Sequence, residues 1–302
     1  MTSLRLALRS TSAAAVATLA MLGAVSCDNG GLGGFLISDA EEVDIGASVD
    51  QDIEQTYPIA TDDDPVTVWA RELVGGLVDA SARFRDPSLI GGYKVEVIND
   101  DSLVNAFAAP GGFVYISTGL ILEAANCGEI AGVLGHELAH VTQRHGVKEM
   151  GKQLVAQGVI DIFIGNELAK EVSVLAYSLV VQSKFSRTDE AEADEVGTQI
   201  AHDAGYNPYG LVVFFNRILA LEEASGTTTI QFLSSHPATE DRIAATTKLI
   251  DKLYGDTVDP EDPAGYQCQG TTMDLAAIQA HIAAGQVAVR AGTGQGEPPS
   301  AP

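Results

Sequence analysis

The sequence contains few basic residues for its length. Of 302 residues, 17 are lysine or arginine and 41 are aspartate or glutamate, which gives a formal net charge of -24 at pH 7. A surface with that charge repels the phosphate backbone of nucleic acids and anionic lipid headgroups. We therefore expect no nucleic-acid partner, and a soluble acidic surface is the simplest explanation of the charge.

Uninterrupted apolar runs and internal repeats are also missing beyond the first 26 residues. The most apolar internal stretch, residues 154–181, is interrupted at short intervals by Asp161, Glu167, Lys170 and Glu171. Charges near the centre of a bilayer are costly. The stretch therefore favours two soluble helices separated near Gly165-Asn166, which either cover a cleft or complete the core. A period of about 34 residues, typical of helix-pair repeats, is not visible.

The first 26 residues lack any acidic residue and fit a signal peptide. Arg5 and Arg9 precede an apolar run that is too short and wrongly flanked for a stable membrane span. The run ends at Ala24-Val25-Ser26-Cys27, which fits a bacterial lipoprotein processing site, although Ala24 stands where leucine is commoner. A glycine-rich stretch follows, so we expect a lipid on Cys27 and a flexible tether over residues 27–37. Ordinary signal cleavage just before Cys27 is the alternative.

Cysteine is scarce, with 3 residues in the chain. Export implies an oxidising compartment, in which cysteines form disulfides. If Cys27 carries a lipid, Cys127 and Cys268 remain as an even pair. A bridge between them would hold the tail of the chain, which begins after residue 255, beside the helix that follows Cys127. Two buried free thiols are the alternative, because connectivity cannot be deduced from sequence.

The most informative motif is His136-Glu137-Leu138-Ala139-His140, which we place in a helix from about Glu129 to about Met150. Residues four apart share one face of a helix, so the two histidines can hold one metal ion. Glu137 points elsewhere and is placed for chemistry at a metal-bound water. His145, five residues past His140, points more than a third of a turn away, so we do not expect it to bind the metal.

A second acidic segment follows about fifty residues later and predicts a helix from about Phe185 to about Asp203. Glu190 and Asp194 are four residues apart, so one carboxylate can bind the metal while the other orients a ligand. Two histidines and one glutamate form a known zinc ligand set. Glu192 and Glu195 are competing candidates, but each lies about 140 to 160 degrees around the helix from Glu190.

Four motifs in this order resemble the zinc metallopeptidase family that includes the heat-shock protease HtpX, BepA-type periplasmic proteases and CAAX prenyl endopeptidases. The resembling residues span about Ser38 to Leu253. The motifs are Asn105-Ala106-Phe107-Ala108 with Pro110-Gly111-Gly112, His136 to His140, Ser186-Arg187 with Glu190, Ala193 and Asp194, and Ser235-His236-Pro237 with Arg242.

The resemblance assigns roles to individual residues. It implies that His136, His140 and Glu190 hold one Zn²⁺ per chain and that Glu137 is the catalytic base. We expect Asp194 to orient a histidine ligand. His236 invites comparison with groups that stabilise an oxyanion, and we treat it as a candidate catalytic residue, with a structural role as the alternative.

The rest of the chain predicts an α+β fold that is mostly helical. Capping signals at Ser38 and at Asp62-Asp63-Asp64-Pro65 start two helices, and a period of two from Tyr93 onward predicts a small β-sheet with a hairpin. We expect a zincin-like metallopeptidase domain over residues 38–255, with one hairpin strand beside the cleft, because a protease must hold its substrate extended. The tail, residues 256–302, is expected to be partly disordered, with one short helix near residues 273–284.

The resemblance also indicates a function. It implies a membrane-anchored zinc metalloendopeptidase on the periplasmic side of the bacterial cell envelope, with misfolded or mislocalised envelope proteins as substrates. A chaperone-like or binding lipoprotein with a structural metal site is the alternative, although such a protein would be expected to have lost Glu137 or a ligand. A hydrolase of non-peptide amides would keep the metal site, but it would not need an exposed strand edge.

Overall fold

A computed structural model describes residues 37–156, 175–178, 185–225, 230–255 and 257–296. The expected signal peptide, Cys27 with its tether up to residue 36, and most of the apolar stretch at 154–181 lie outside these residues. Among the described residues, no helix is both long enough and apolar enough to cross a membrane.

The fold is mostly helical with one small sheet, as the sequence predicts. In chain order the elements are α1 Asp39–Thr56, α2 Pro65–Ser81, β1 Lys94–Ile98, β2 Ala106–Ala109, β3 Phe113–Ser117, α3 Thr118–Glu123, α4 Cys127–Thr142, α5 His145–Ala156, α6 Arg187–Asp203, α7 Gly210–Ser225, α8 Gln231–Ser235, α9 Glu240–Tyr254 and α10 Leu275–Ala283. The predicted capping box is present, because the Ser38 hydroxyl accepts from the Glu41 N–H and the Glu41 carboxylate accepts from the Ser38 N–H.

The three strands form one sheet in the order β1-β3-β2. The strand β3 pairs in parallel with β1 and antiparallel with β2, so β2 lies at an edge. Side chains of successive residues point to opposite faces. Val114 and Ile116 therefore pack into the larger core with α2 and α4, whereas Phe107 and Tyr115 pack on the other face against α1 and α5. The sheet thus lies between two layers of helices.

The helix α4 runs through the centre of the protein, and all of its residues are buried. Asn126 caps its first turn by accepting a hydrogen bond from the Glu129 N–H at 2.9 Å. The helix α6 crosses α4 very closely at Gly197. A Cβ atom on Gly197 would lie 2.7 Å from the Cα of His136, so only glycine permits this approach. The close crossing brings the carboxylates of α6 to the histidines of α4.

The predicted helix from about Glu129 to about Met150 is in fact two helices, so this prediction is wrong about its continuity. The helix α4 ends at Thr142 and α5 begins at His145. Between them Arg144 has a left-handed backbone, with φ of 56°. Its side chain donates to the Glu42 carboxylate at 2.9 Å and to the Ile37 carbonyl at 2.6 Å, and these bonds stabilise the bend.

The segment after residue 256 packs against the rest of the fold. Cys268 forms a disulfide with Cys127, the first residue of α4. The short helix expected near residues 273–284 is α10, whose Ile278 is buried in the core beside α2. Further on, the Arg290 N–H donates to the Ile59 carbonyl at 2.7 Å. The boundary expected at residue 255 therefore does not coincide with a gap in the packing, because apolar side chains beyond it complete the core.

Candidate active site

The two histidines of α4 lie one turn apart and face the same point. The Nε2 atoms of His136 and His140 are 3.1 Å apart, and both side chains are buried. Burial holds the pKa of His140 well below its usual range, because a charged imidazole is unfavourable away from water. This histidine is therefore neutral, which is the form that binds a metal ion.

The helix α6 places two carboxylates beside these histidines. Glu190 Oε2 lies 3.6 Å from His136 Nε2, and Glu190 Oε1 lies 3.5 Å from His140 Nε2. Asp194 Oδ1 lies 3.0 Å from His136 Nδ1, on the far side of that ring. The Asp194 carboxylate accepts from Nδ1–H and leaves Nε2 with a lone pair that faces Glu190. The structure thus places Glu190 and Asp194 on the two sides of His136.

A third histidine joins the cluster from the loop after α8. His236 Nδ1 lies 3.2 Å from His136 Nε2 and 3.0 Å from Glu190 Oε1. The other ring nitrogen, Nε2, lies 3.5 Å from Glu137 Oε1. The sequence singled out His236 as a catalytic candidate, and the structure brings its ring between the metal donors and Glu137.

The four donor groups fit a zinc ion. Ligand atoms of His136, His140, Glu190 and His236 all lie within 4.8 Å of one another. The separations between these donor groups, taken to either oxygen of Glu190, are 3.0–3.6 Å, close to the edge of about 3.3 Å expected for a tetrahedron of ligands with bonds of about 2.0 Å. Three imidazole nitrogens and one carboxylate are also donors that zinc prefers.

Glu137 lies beside the donors in a buried position. Burial raises its pKa to about 7, and this is the largest influence on its carboxyl group. Its Oε1 atom has no hydrogen-bond partner within the part of the chain that the structure describes. A buried carboxylate with an unused oxygen and a pKa near neutrality has the properties of a general base.

Behind His140 lies a pair of residues whose contact the sequence did not reveal. His145 Nδ1 lies 3.0 Å from His140 Nδ1, and His145 Nε2 lies 3.2 Å from Glu192 Oε2. Because His145 donates to Glu192, its Nδ1 accepts from His140 and leaves His140 Nε2 for the metal. Among the described residues, the group of donors that lie within 4.8 Å of one another includes His140 but not His145. Glu192, a competing candidate for metal binding, contacts His145 instead.

Arg242 of α9 connects the two carboxylates of α6. Its Nε and Nη2 atoms donate to both oxygens of Asp194 at 2.7 and 2.6 Å, and its Nη1 lies 2.6 Å from Glu190 Oε2. Although burial alone would raise the pKa of Asp194, hydrogen bonds from Arg242 and His136 hold it below its usual range. The motif containing Arg242 was visible in the sequence, but its contacts with residues about fifty positions earlier were not.

The edge strand β2 lies next to Glu137. The Asn105 carbonyl accepts a hydrogen bond from the Ser117 N–H at 3.0 Å. This bond determines which backbone groups of β2 face β3. Alternate residues of an antiparallel strand face opposite sides, so the backbone groups of Ala106 and Ala108 face the open edge. The backbone of Ala108 lies close enough to the Glu137 carboxyl group to lower its pKa, although burial outweighs this effect. One hairpin strand therefore borders the site, as the sequence predicted.

This histidine and carboxylate arrangement defines a metallopeptidase type of site, and comparison with known proteins identifies its family. Residues 67–250, more than half of the chain, match the model of Peptidase family M48. The chain belongs to this family of zinc metallopeptidases, so the expected family, fold class and zinc cofactor are confirmed.

Several curated proteins are similar to the chain over part of their length. It is 36% identical over 154 residues to a putative beta-barrel assembly-enhancing protease of Vibrio cholerae, covering 47% of this chain and 32% of that protein. It is 32% identical over 164 residues to Metalloprotease YcaL of Escherichia coli, covering 51% and 62%. It is 29% identical over 198 residues to the Mitochondrial metalloendopeptidase OMA1 of Saccharomyces cerevisiae, covering 62% and 57%. The chain spans less than two thirds of each of these relatives.

Proposed function

We propose that this protein is a zinc-dependent metalloendopeptidase of the bacterial cell envelope that hydrolyses peptide bonds in misfolded or mislocalised envelope proteins. The observation that carries the proposal is the position of Glu137, buried between the metal donors and an open strand edge. A structural metal site needs donors only, whereas hydrolysis of a peptide also needs a base and a surface that holds an extended chain.

Each residue of the proposed active site has a separate role in the reaction. His136, His140 and Glu190 would hold a zinc ion, which when bound would act as a Lewis acid and lower the pKa of water to about 7. The backbone groups of β2 hold the substrate strand next to Glu137. Glu137 takes a proton from the attacking water and delivers it to the leaving amine. Asp194 keeps His136 in the tautomer that presents Nε2 to the metal.

Digestion of an unfolded protein such as casein, with and without a chelator, tests the activity. We expect cleavage by the zinc-loaded protein, loss of cleavage with the chelator and recovery when zinc is added back. Replacing Glu137 by Gln should leave zinc bound and reduce turnover by at least about a thousandfold, because the amide neither takes nor returns the proton. Near wild-type turnover of the Gln variant would show that Glu137 is not the base.

The proposed location rests on the N-terminal sequence and on the relatives. One of these is named a putative beta-barrel assembly-enhancing protease, which supports an envelope location for this chain. We further propose that a lipid on Cys27 anchors the protein to a membrane. Replacing Cys27 by Ser should move the protein into the soluble envelope fraction. Mass spectrometry that finds an unmodified Cys27 at the mature N-terminus would contradict this anchor.

A second candidate function is a binding lipoprotein with a structural metal site. The position of His236 favours it, because four protein donors around zinc form the closed arrangement typical of structural sites. The two functions predict different results for the digestion. Stoichiometric zinc in the wild-type protein without chelator-sensitive cleavage of several unfolded substrates would favour the binding protein.

A further inference from the structure

A cavity opens beside His140 and the C-terminal end of the edge strand. Its empty volume is about 330 Å³, part of which is open to solvent, and its lining includes Ala108, Pro110, His140, Val147 and Phe185. Because His140 and Ala108 belong both to this cavity and to the proposed active site, a substrate held along β2 has direct access to it.

We propose that this cavity receives the substrate side chain on the amino side of the cleaved bond and selects apolar, uncharged side chains. The inference rests on the proposed proteolytic function and names the substrate feature that the site recognises. We call the cavity the His140 pocket.

The position of Glu137 along β2 gives the place of the cleaved bond, and antiparallel pairing with β2 gives the direction of the substrate in this proposal. The Glu137 carboxyl group lies beside the backbone of Ala108, so the bond to be cleaved lies near this residue. A substrate that pairs antiparallel with β2 runs from Pro110 toward Ala106. Residues that precede the cleaved bond therefore lie over Ala109 and Pro110, where the His140 pocket opens.

The walls of the His140 pocket are apolar. Val147 is 1% exposed, and the Phe185 ring stacks on the His140 ring with 4.1 Å between centroids. Pro110 and the small side chain of Ala109 form the wall on the strand side. A methylene group buried against such walls contributes about 0.8 kcal/mol. The walls therefore favour a side chain such as leucine or phenylalanine over a small or polar one.

The floor of the pocket carries charges that neutralise each other. Arg144 Nε donates to Glu42 Oε2 at 2.9 Å, and Arg85 donates to both oxygens of Glu42 at 2.9 Å. The Asp39 carboxylate balances the second positive charge through Arg85 at 2.5 Å. A charged substrate side chain would lose its hydration without gaining a counter-ion here, so the pocket disfavours it.

Gly146 provides a way to fill the pocket without moving the backbone. It belongs to the lining, and among the described atoms a Cβ placed on it would approach Pro110 Cγ at 3.7 Å, an ordinary contact. A side chain at this position extends across the pocket toward Pro110. Gly76 on α2 is a matched control, because it is exposed and an added Cβ meets none of the described atoms within 4 Å.

The test compares cleavage by the zinc-loaded full chain with cleavage by its Gly146→Leu and Gly76→Leu variants. Cut sites in an unfolded protein are identified by mass spectrometry. We expect the wild-type and Gly76→Leu proteins to cut mainly after leucine, phenylalanine or methionine. The Gly146→Leu variant should cut after glycine, alanine or serine, and its kcat/KM for a peptide with leucine at this position should fall at least about tenfold. Unchanged cut sites in Gly146→Leu, or a change confined to the residue after the cut, would overturn the inference.

A binding measurement tests the selectivity of the His140 pocket independently of catalysis. Peptides that differ only in having leucine, alanine, aspartate or lysine at the tested position are titrated into the zinc-loaded Glu137→Gln protein and followed by fluorescence anisotropy. We expect the leucine peptide to bind at least about tenfold more tightly than the aspartate and lysine peptides, and this preference should disappear when Gly146→Leu is added. Equal binding of all four peptides overturns the pocket, whereas selective binding without any wild-type cleavage overturns only the proteolytic function.

Discussion

Replacing Gly197 by alanine should weaken zinc binding at a modest cost to the stability of the fold. A Cβ atom at this position would lie 2.7 Å from both the Cα and the N of His136 and 2.9 Å from the carbonyl carbon of Gly135. These neighbours are backbone atoms of α4, so rotation of a side chain cannot relieve the overlap. To restore an ordinary contact of 3.4 Å, α4 and α6 must separate locally by about 0.7 Å.

The expected magnitudes follow from this separation. Overpacking of this kind costs about 1–3 kcal/mol of folding free energy, and the better helix propensity of alanine offsets about 1 kcal/mol. The metal-free protein should therefore lose between about 0 and 2 kcal/mol of stability. Zinc bond lengths vary by only about 0.2 Å, and Glu190 lies on one helix while His136 and His140 lie on the other. We expect zinc affinity to fall at least about tenfold, equivalent to about 1.4 kcal/mol.

Two measurements on the same preparations test this reasoning. Zinc affinity is measured by competition with a chromophoric chelator, and the stability of the metal-free protein is measured by urea unfolding. The exposed Gly76→Ala variant is the control, because it should gain about 0.5–1 kcal/mol of stability with unchanged zinc affinity. If Gly197→Ala binds zinc as tightly as the wild-type protein and is stabilised like the control, the close crossing does not set the geometry of the metal site.

Three other variants test the assignments around the metal. Glu190→Gln should lose stoichiometric zinc, whereas Asp194→Asn should keep most of its zinc and lose activity. If Glu190→Gln retained zinc and Glu192→Gln lost it, Glu190 would be rejected as a ligand. His145→Ala should lower zinc affinity about 10- to 100-fold in the same competition assay without unfolding the protein, and an unchanged affinity would show that His145 does not orient His140. Cys268→Ser removes the disulfide between residues 141 positions apart and should lower the free energy of unfolding by up to about 5 kcal/mol. An unaltered urea midpoint would show that the disulfide does not stabilise the fold.

The sequence predicted those features that depend on spacing within one element. The four-residue interval between His136 and His140 places both on one face of a helix whatever surrounds it, and the same holds for Glu190 and Asp194. The strands were predictable because residues on the same face of a strand recur at every second position. The capping signal at Ser38 correctly located the start of α1 because a cap is satisfied by its own first turn.

Features that depend on distant contacts could not be predicted. A prediction from hydrophobic periodicity continues the helix through residue 143. Arginine rarely takes a left-handed backbone, so the sequence does not indicate the bend at Arg144. Its bend is stabilised by bonds to Glu42 and Ile37, more than a hundred residues earlier. The contact of His145 with Glu192 depends on that bend, so an argument from a continuous helix places His145 on the wrong side.

The position of Arg290 has a consequence for the order of events during biosynthesis. This side chain lies 3.0 Å from the buried carboxylate of Glu96 on β1 and 2.6 Å from Glu54 on α1. Among the described residues that precede Arg290, the cationic neighbours of Glu96 are Lys94 at 3.0 Å and the more distant Arg71. The Glu96 carboxylate on β1 therefore gains Arg290 as a cationic neighbour only after nearly two hundred further residues have been synthesised. Contacts of such long sequence separation form late, so the neutralisation of Glu96 is completed in one of the last steps of folding.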